Sequence, residues 1–275
     1  MGKRPTNLGQ VGVIMKYTFV DYLRSRRFLI LLGIILAVAT VLTAVVGYYR
    51  PASYLSTNLG FYSSWWGMTA VFIVILSGIF FGGDAISGEF QNKTGYFTLP
   101  NPVRRSSVYV GKWLAAFVAS TTILLIFAAI TVANAIFYFG GAGLPYQFGE
   151  ALLFSWFYLS AVLGFTFFFS SLFKSSSYSI LLTAVVFLFA FTVIEALVQN
   201  LAQIEPWFVL NYAAGMIGGV LTDPYPPHMA TVTSRFGSSL TSYNVTIPEG
   251  LAIVGTYFLV TAIIGLILFE RKEFN

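Results

Sequence analysis

Residues 82–113, GGDAISGEFQNKTGYFTLPNPVRRSSVYVGKW, separate two long apolar runs of the chain. The stretch contains six charged side chains, whereas the runs on either side, 61–83 and 113–139, contain none. About 20 apolar residues are enough to cross the hydrocarbon core of a bilayer as an α-helix. The change from apolar to charged and back therefore predicts two membrane helices joined by a polar loop.

Composition extends this prediction to the whole chain. Hydrophobic residues make up 57% of the 275 residues and charged residues only 9%, whereas about a quarter of the residues of a soluble protein are charged. Transmembrane strands would be shorter and would alternate apolar with polar residues. We therefore expect a single all-α membrane domain over 1–275, with a first span too long for a cleaved signal sequence. The six uncharged runs predicted as spans are 28–49, 61–83, 113–139, 151–173, 175–194 and 250–269.

Several kinds of chemistry are excluded by what the sequence lacks. Without cysteine there is no disulfide or thiolate site, and a single histidine, His228, cannot form a two-histidine metal site. We therefore expect no metal site, and interpret His228 as a loop residue. No phosphate-binding G-x-x-x-x-G-K-[ST] and no G-x-S-x-G or H-E-x-x-H motif occurs. The chain is thus not predicted to be an enzyme, and ATP and its magnesium would have to bind to a partner chain.

The positions of the basic residues indicate the orientation in the membrane. With six spans, thirteen of the fifteen Lys and Arg residues fall on one side, and only Arg50 and Arg235 on the other. Because cytoplasmic loops are enriched in Lys and Arg, we expect both termini and the loop 84–108 in the cytoplasm, and the loop 200–249 outside. The net charge of +5 is interpreted in this way and not as a sign of nucleic-acid binding.

Two further segments, outside the six predicted spans, carry weaker signals of helix. Residues 10–27 are imperfectly amphipathic and end in basic residues, which predicts a helix lying on the inner membrane surface beside lipid headgroups. The alternative is an ordinary basic flank of the first span. Residues 207–221 are uncharged but would rise only about 22 Å as a helix. They are predicted to be an interfacial or re-entrant short helix of the outer loop.

Residues 88–94 of the loop carry the signals of a short helix. Ser87 is a suitable N-cap, Glu89 lies in the first turn, Lys93 follows four residues later, and Gly95 is a fitting C-terminal stop. Seven residues cannot hold a helix alone in water, so this helix needs a surface to pack on. The alternative interpretation is a connector at the level of the headgroups.

At this point the sequence resembles the permease subunits of type-2 ABC exporters. The layout of spans is similar, as is the motif of the loop, D-x-I-S-G-E-F-x-x-x-T-x-x-x-x-L-x-x-P-V-x-R, which is followed by a Gly-Lys pair. The resemblance implies that 88–94 is a coupling helix seated in a separate ATPase subunit, after an N-terminal elbow helix. The residues that it assigns to coupling are Asp84, Ile86, Ser87, Gly88, Glu89, Phe90, Lys93, Thr94, Leu99, Pro102, Val103, Arg104, Arg105, Gly111 and Lys112.

The resemblance also implies roles and partners. Glu89 would make the ionic contact and Phe90 the apolar contact with the ATPase, while Arg104, Arg105 and Lys112 would pass its movement into the third span. Two copies of the permease, expected to be identical, would work with two ATPase subunits. The rival hypothesis is a membrane binding, scaffold, sensor or immunity protein that does not transport.

A few other residues are candidates for a role outside the loop. Glu195 and Asn134 are ionisable or polar groups near the membrane and could line a translocation path; a solvated helix end is the alternative for Glu195. Asn244 begins an N-x-T sequon in the outer loop and could be glycosylated. The pairs Gly78-x-x-x-Gly82 and Gly215-x-x-x-Gly219 could allow a close helix contact, within the chain or between two copies.

Overall fold

The computed structural model of the chain describes residues 7–92, 103–140, 144–233 and 239–272. Six of its helices are long and apolar enough to cross a membrane, so the chain is a multi-pass membrane protein. These six are α2, α4, α6, α7, α8 and α11. In chain order the helices are α1 (Asn7–Arg24), α2 (Arg26–Tyr49), α3 (Ala52–Leu55), α4 (Asn58–Gly82), α5 (Ser87–Gln91), α6 (Arg105–Phe139), α7 (Tyr146–Leu172), α8 (Ser176–Ala202), α9 (Leu210–Ala213), α10 (Gly215–Gly219) and α11 (Ile247–Arg271).

The observed helices extend beyond several of the predicted bounds. The helix α6 begins at Arg105 and not at 113, so the loop predicted over 84–108 is shorter. The helix α8 continues to Ala202 instead of ending at 194, and the loop that was predicted over 200–249 begins correspondingly later. Apolar runs mark the part of a helix that can lie in hydrocarbon, but polar residues continue the helix beyond it. The N-terminal helix ends earlier than 27, because Ser25 caps α2 by accepting a hydrogen bond from Phe28 N at 3.2 Å.

The core is built around α4, whose apolar window is 67% buried, compared with 11% for α8 and for α11. Its Trp66 ring stacks on Phe127 of α6, with ring centroids 5.6 Å apart, and meets Phe148 of α7 edge-on at 5.0 Å. The indole nitrogen of Trp66 donates to Ser155 Oγ at 3.3 Å. Aromatic packing therefore joins α4, α6 and α7, while α8 and α11 present much of their apolar surface outward.

Both glycine pairs pack within the chain. A Cβ atom at Gly78 would overlap Val162 of α7, and one at Gly82 would overlap Thr166. Gly215 lies against Val245, and Gly219 against the ring of Tyr225. The predicted close helix contact is therefore confirmed for Gly78 and Gly82, which pack against α7 of the same chain. Gly215 is exposed, and a contact between two copies stays a prediction.

The helix α8 contains two π-helical stretches, Val186–Ala190 and Val198–Ala202. The side chain of Asn211 in α9 donates to Phe187 O in the first stretch at 3.1 Å, and Asn211 accepts a hydrogen bond from Tyr158 of α7 at 3.2 Å. Stretches of π-helix are rare and often lie at functional sites. Asn211 thus connects α7, α8 and α9 at this irregular point.

The chain between α8 and α11 contains a β-hairpin that the sequence interpretation did not foresee. Strand β1 (Met229–Thr233) pairs antiparallel with β2 (Ser239–Tyr243), in the register Met229 to Tyr243 and Thr233 to Ser239. Residues 207–221 form two short helices instead of one, and Leu210 and Ile217 are fully buried. The all-α prediction therefore holds for the candidate spans, but the hairpin is an exception in the loop.

Candidate functional site

The helix α5 is one short element that follows α4 after a turn. It spans Ser87–Gln91, so the predicted short helix is present. It begins one residue earlier than 88 and ends at Gln91, and the prediction of Ser87 as its N-cap is wrong, because Ile86 is at that position. Ser87 lies inside the helix and is fully buried. The capping group is the hydroxyl of Ser170 in α7, which accepts hydrogen bonds from Ile86 N at 2.9 Å and from Ser87 N at 3.0 Å. The start of α5 is therefore fixed to the end of α7.

Two ion pairs hold the acidic residues of this region. Asp84 pairs with Arg27 of α2 at 2.5 Å. Glu89 pairs with Lys112 of α6, and the Lys112 ammonium also donates to Ala85 O at 2.9 Å. The side chains of Lys112 and Glu89 are only 14% and 16% exposed. Removal of one partner of such a buried pair leaves an uncompensated charge, which is strongly destabilising.

Phe90 faces the C-terminal end of α11. Its ring lies at a right angle to Phe269, with centroids 6.5 Å apart, and the Lys272 ammonium is 4.3 Å from the ring centre. A cation over the face of an aromatic ring is attracted by its electron density. Phe90 is half-buried, so part of its surface contacts the protein's own last span.

Cationic side chains near α5 also donate hydrogen bonds to carbonyl groups at the ends of α7 and α11. Arg105 Nη1 donates to Glu270 O and Lys272 O, each at 2.8 Å, at the end of α11. Lys272 Nζ donates to Ser171 O at 2.8 Å and Phe173 O at 2.7 Å, at the end of α7. Positive charge suits helix C-termini, where the carbonyl groups have no partner in the helix. Burial and the nearby charge of Lys174 lower the pKa of Lys272 to about 8.

The last turn of α5 contacts the start of α8. Gln91 Oε1 accepts a hydrogen bond from Ser176 N at 2.6 Å. Together with the contacts above, this bond connects α5 to four candidate spans, α6, α7, α8 and α11. A displacement of α5 would therefore act on the ends of all four at once.

The structure brings together many of the residues that the motif selected. Six of them lie in or beside α5: Asp84, Ile86, Ser87, Gly88, Glu89 and Phe90. From α6, Lys112 pairs with Glu89, and Arg105 donates to the end of α11. Arg104 contacts α1 instead, where its amide donates to Gln10 Oε1 at 3.4 Å. Lys93, Thr94, Leu99 and Pro102 lie outside the described residues.

Sequence reasoning missed four residues of this site: Arg27, Gln91, Ser170 and Lys272. Arg27 and Lys272 were visible as basic residues but gave no sign of their partners. Ser170 lies in an uncharged run and is separated from Ser87 by 83 positions. No local signal could have identified it.

A cavity of about 930 Å³ lies on another part of the molecule, between α4, α8, α9, α10 and the hairpin. Glu195, which lies between the two π-helical stretches, lines it together with Asn211 and Tyr212. Among the described residues, none forms a hydrogen bond or ion pair with the half-buried Glu195 carboxylate. This acid therefore faces a space large enough for a small molecule.

The other two single-residue candidates are placed differently. Asn134 does not line this cavity; its amide donates to Ile130 O of its own helix at 3.0 Å. Asn244 does line it, and its amide nitrogen donates to Pro227 O at 2.8 Å. Glycosylation of Asn244 would have to replace that bond, and it stays a prediction.

Comparison with known proteins characterises the chain as a whole. The model of a family described as ABC-2 family transporter protein matches residues 13–274. The match includes every candidate span, the region around α5 and the hairpin, so it does not rest on one motif. A search of curated proteins found no significant match.

Proposed function

Because the chain belongs to the ABC-2 family of transporter proteins, we propose that it is the membrane permease subunit of an ATP-driven exporter. The family implies an ATPase partner, and in this proposal that separate subunit binds ATP and magnesium. The observation that carries the proposal is the connection of α5 to the ends of α6, α7, α8 and α11. A short helix held by these contacts transmits a displacement of the ATPase to the ends of all four spans.

The proposed coupling surface is the exposed end of α5 with its cytoplasmic surroundings. Gln91 and Asn92 are exposed there, and Glu89 and Phe90 are half-buried. Because Glu89 already pairs with Lys112, we propose that it holds α5 on α6 as well as facing the ATPase. Phe90 similarly connects the docking surface to α11. The helix α1, which packs on α6, takes the place of the elbow helix at the membrane surface.

The proposed translocation path follows the cavity that Glu195 lines. The helix α8 has the smallest buried share among the spans, together with α11, and offers apolar surface to a neighbour or to lipid. We propose that a second, identical permease faces this side, and that two ATPase subunits complete the exporter. Because van der Waals packing drives the association of membrane helices, such an interface does not need a polar patch.

The test is retention of the ATPase subunit by the purified permease. Asn92→Trp adds a bulky ring at the exposed end of α5, and Ser56→Trp adds the same ring at an exposed position beyond the opposite end of α4. We expect Asn92→Trp to reduce the retained ATPase at least fivefold, about 1 kcal/mol, and to abolish substrate-stimulated ATP hydrolysis. Ser56→Trp should behave like the unmodified chain.

Two results would contradict the proposal. Equal retention by both variants would mean that α5 is only a connector at the headgroups. A chain that retains no ATPase even without substitution, when expressed with the proteins encoded beside it, would favour a membrane scaffold or sensor. In both cases, gel filtration of each variant confirms that the permease itself is folded.

A further inference from the structure

Three side chains that are far apart in sequence meet between the end of α8 and the start of α11. They are Glu205, His228 and Glu249, and one ligand atom from each lies within 4.8 Å of the others. All three are half-buried. Glu205 follows α8, His228 precedes β1, and Glu249 lies in the first turn of α11. The cluster therefore joins three segments of the chain.

The orientation of His228 distinguishes this cluster from a chance group of acids. Its Nδ1 lies 3.0 Å from Asn244 O. A carbonyl oxygen only accepts, so Nδ1 carries the proton and Nε2 faces Glu205 Oε2 at 3.6 Å. This distance is longer than a normal N–H···O hydrogen bond. It is close to the separation of about 3.4 Å between two ligands of one tetrahedral zinc ion.

Each carboxylate is also positioned by an outer hydrogen bond. Tyr212 donates its hydroxyl to Glu205 Oε1 at 2.8 Å. The amide of Thr246 donates to Glu249 Oε2 at 3.2 Å, in the capping box that opens α11. Partners of this kind orient metal ligands in proteins. Two carboxylates held this close to each other repel unless a proton or a cation lies between them.

We propose that Glu205, His228 and Glu249 bind a divalent transition-metal ion, with zinc as the ion that best fits this ligand set. Imidazole with carboxylates suits zinc, whereas calcium and magnesium take oxygen ligands. Three protein ligands leave a fourth position for water. This replaces the expectation from sequence that the chain has no metal site, which considered histidine pairs only.

The bound ion would cross-link the end of α8, the hairpin and the start of α11. The hairpin also lines the cavity with Glu195, through Ser242, Tyr243 and Asn244. Zinc binding would therefore fix one wall of that cavity. The inference does not depend on the coupling proposed for α5, which lies at the other end of α4 and α11.

The direct test is zinc binding by the full chain in detergent, measured by titration calorimetry. His228 is the only histidine and there is no cysteine, so the chain must be purified without a histidine tag, and any imidazole ligand is then His228. We expect Glu205→Gln, His228→Gln and Glu249→Gln each to weaken zinc binding at least about tenfold. Glu150→Gln removes an exposed carboxylate at the start of α7 and should leave the affinity unchanged.

A second measurement does not depend on the folding of variants. Diethyl pyrocarbonate modifies accessible imidazole nitrogen, and mass spectrometry reports its addition to His228. Zinc should protect His228 in the unmodified chain, and magnesium at the same concentration should not. Absence of zinc binding, equal binding by the three variants and Glu150→Gln, or modification that zinc does not slow would each overturn the proposal and leave an ion pair only.

Discussion

A single hydroxyl, that of Ser170, decides where α5 begins. It accepts hydrogen bonds from both Ile86 N and Ser87 N, and all three residues are buried. A buried amide that loses its partner costs more free energy than the bond itself contributes, because water cannot replace that partner. A residue outside α5 thus fixes where α5 begins.

We therefore expect Ser170→Ala to destabilise the chain by about 1–3 kcal/mol for each amide left without a partner. The loss should be local, because only α5 and the turn before it depend on this hydroxyl. Hydrogen exchange of the peptides that contain Ile86 and Ser87 should become faster, and thermal unfolding in detergent should begin at a lower temperature. Ser177→Ala, which removes an exposed hydroxyl at the start of α8, is the matched control. Unchanged exchange at Ile86 and Ser87 would show that α5 is held by its ion pair instead.

At the scale of elements, the sequence predicted well what is local and poorly what depends on distant partners. Apolar runs identified the spans. The capping box of Thr246 and Glu249 is also local, but it was not predicted. The bounds of α5 depend on Ser170, and the π-helical stretch of α8 is bonded by Asn211. The hairpin, with Thr, Ser and Tyr in its strands, had β-propensity but was overlooked among helical signals.

One close approach lies between α1 and α6. Gly111 of α6 lies against α1, where an added Cβ would be 2.9 Å from Ile14 Cβ and 3.1 Å from Val11 O. We expect Gly111→Leu to push α1 away from α6 and to cost about 1–3 kcal/mol, as overpacking does. Cleavage by trypsin at Lys16 and Arg24 should become faster.

The control for this change is Gly33→Leu in α2. A Cβ at Gly33 meets nothing within 4 Å, so the same side chain is added to an exposed position of a helix without overlap. Trypsin should cleave Gly33→Leu at the rate of the unmodified chain. If trypsin cleaves Gly111→Leu at the same rate as Gly33→Leu, α1 is held by contacts other than this one. The proposed role of α1 as an elbow helix then loses the support of its contact with Gly111.

At the scale of the whole molecule, successive candidate spans run in alternating directions, so their termini gather at two ends. The site around α5 lies at one end, with the beginnings of α6 and α8 and the last turns of α7 and α11. The hairpin, the Glu195 cavity and the Glu205 cluster lie toward the other end. The proposed function requires the α5 end to face the cytoplasm, because ATP is supplied there, and the distribution of Lys and Arg predicts the same orientation.

This orientation can be measured with single cysteines, because the chain has none of its own. Asn92 and Ser56 are exposed positions beyond opposite ends of α4, whose 25 residues rise about 37 Å. A membrane-impermeant maleimide should label Ser56→Cys in intact cells, and label Asn92→Cys only after the cells are opened. Labelling of both positions in intact cells would reject a crossing by α4. The reverse pattern would place α5 outside, where no ATPase could reach it, so one experiment tests both the orientation and the physical basis of the proposed coupling.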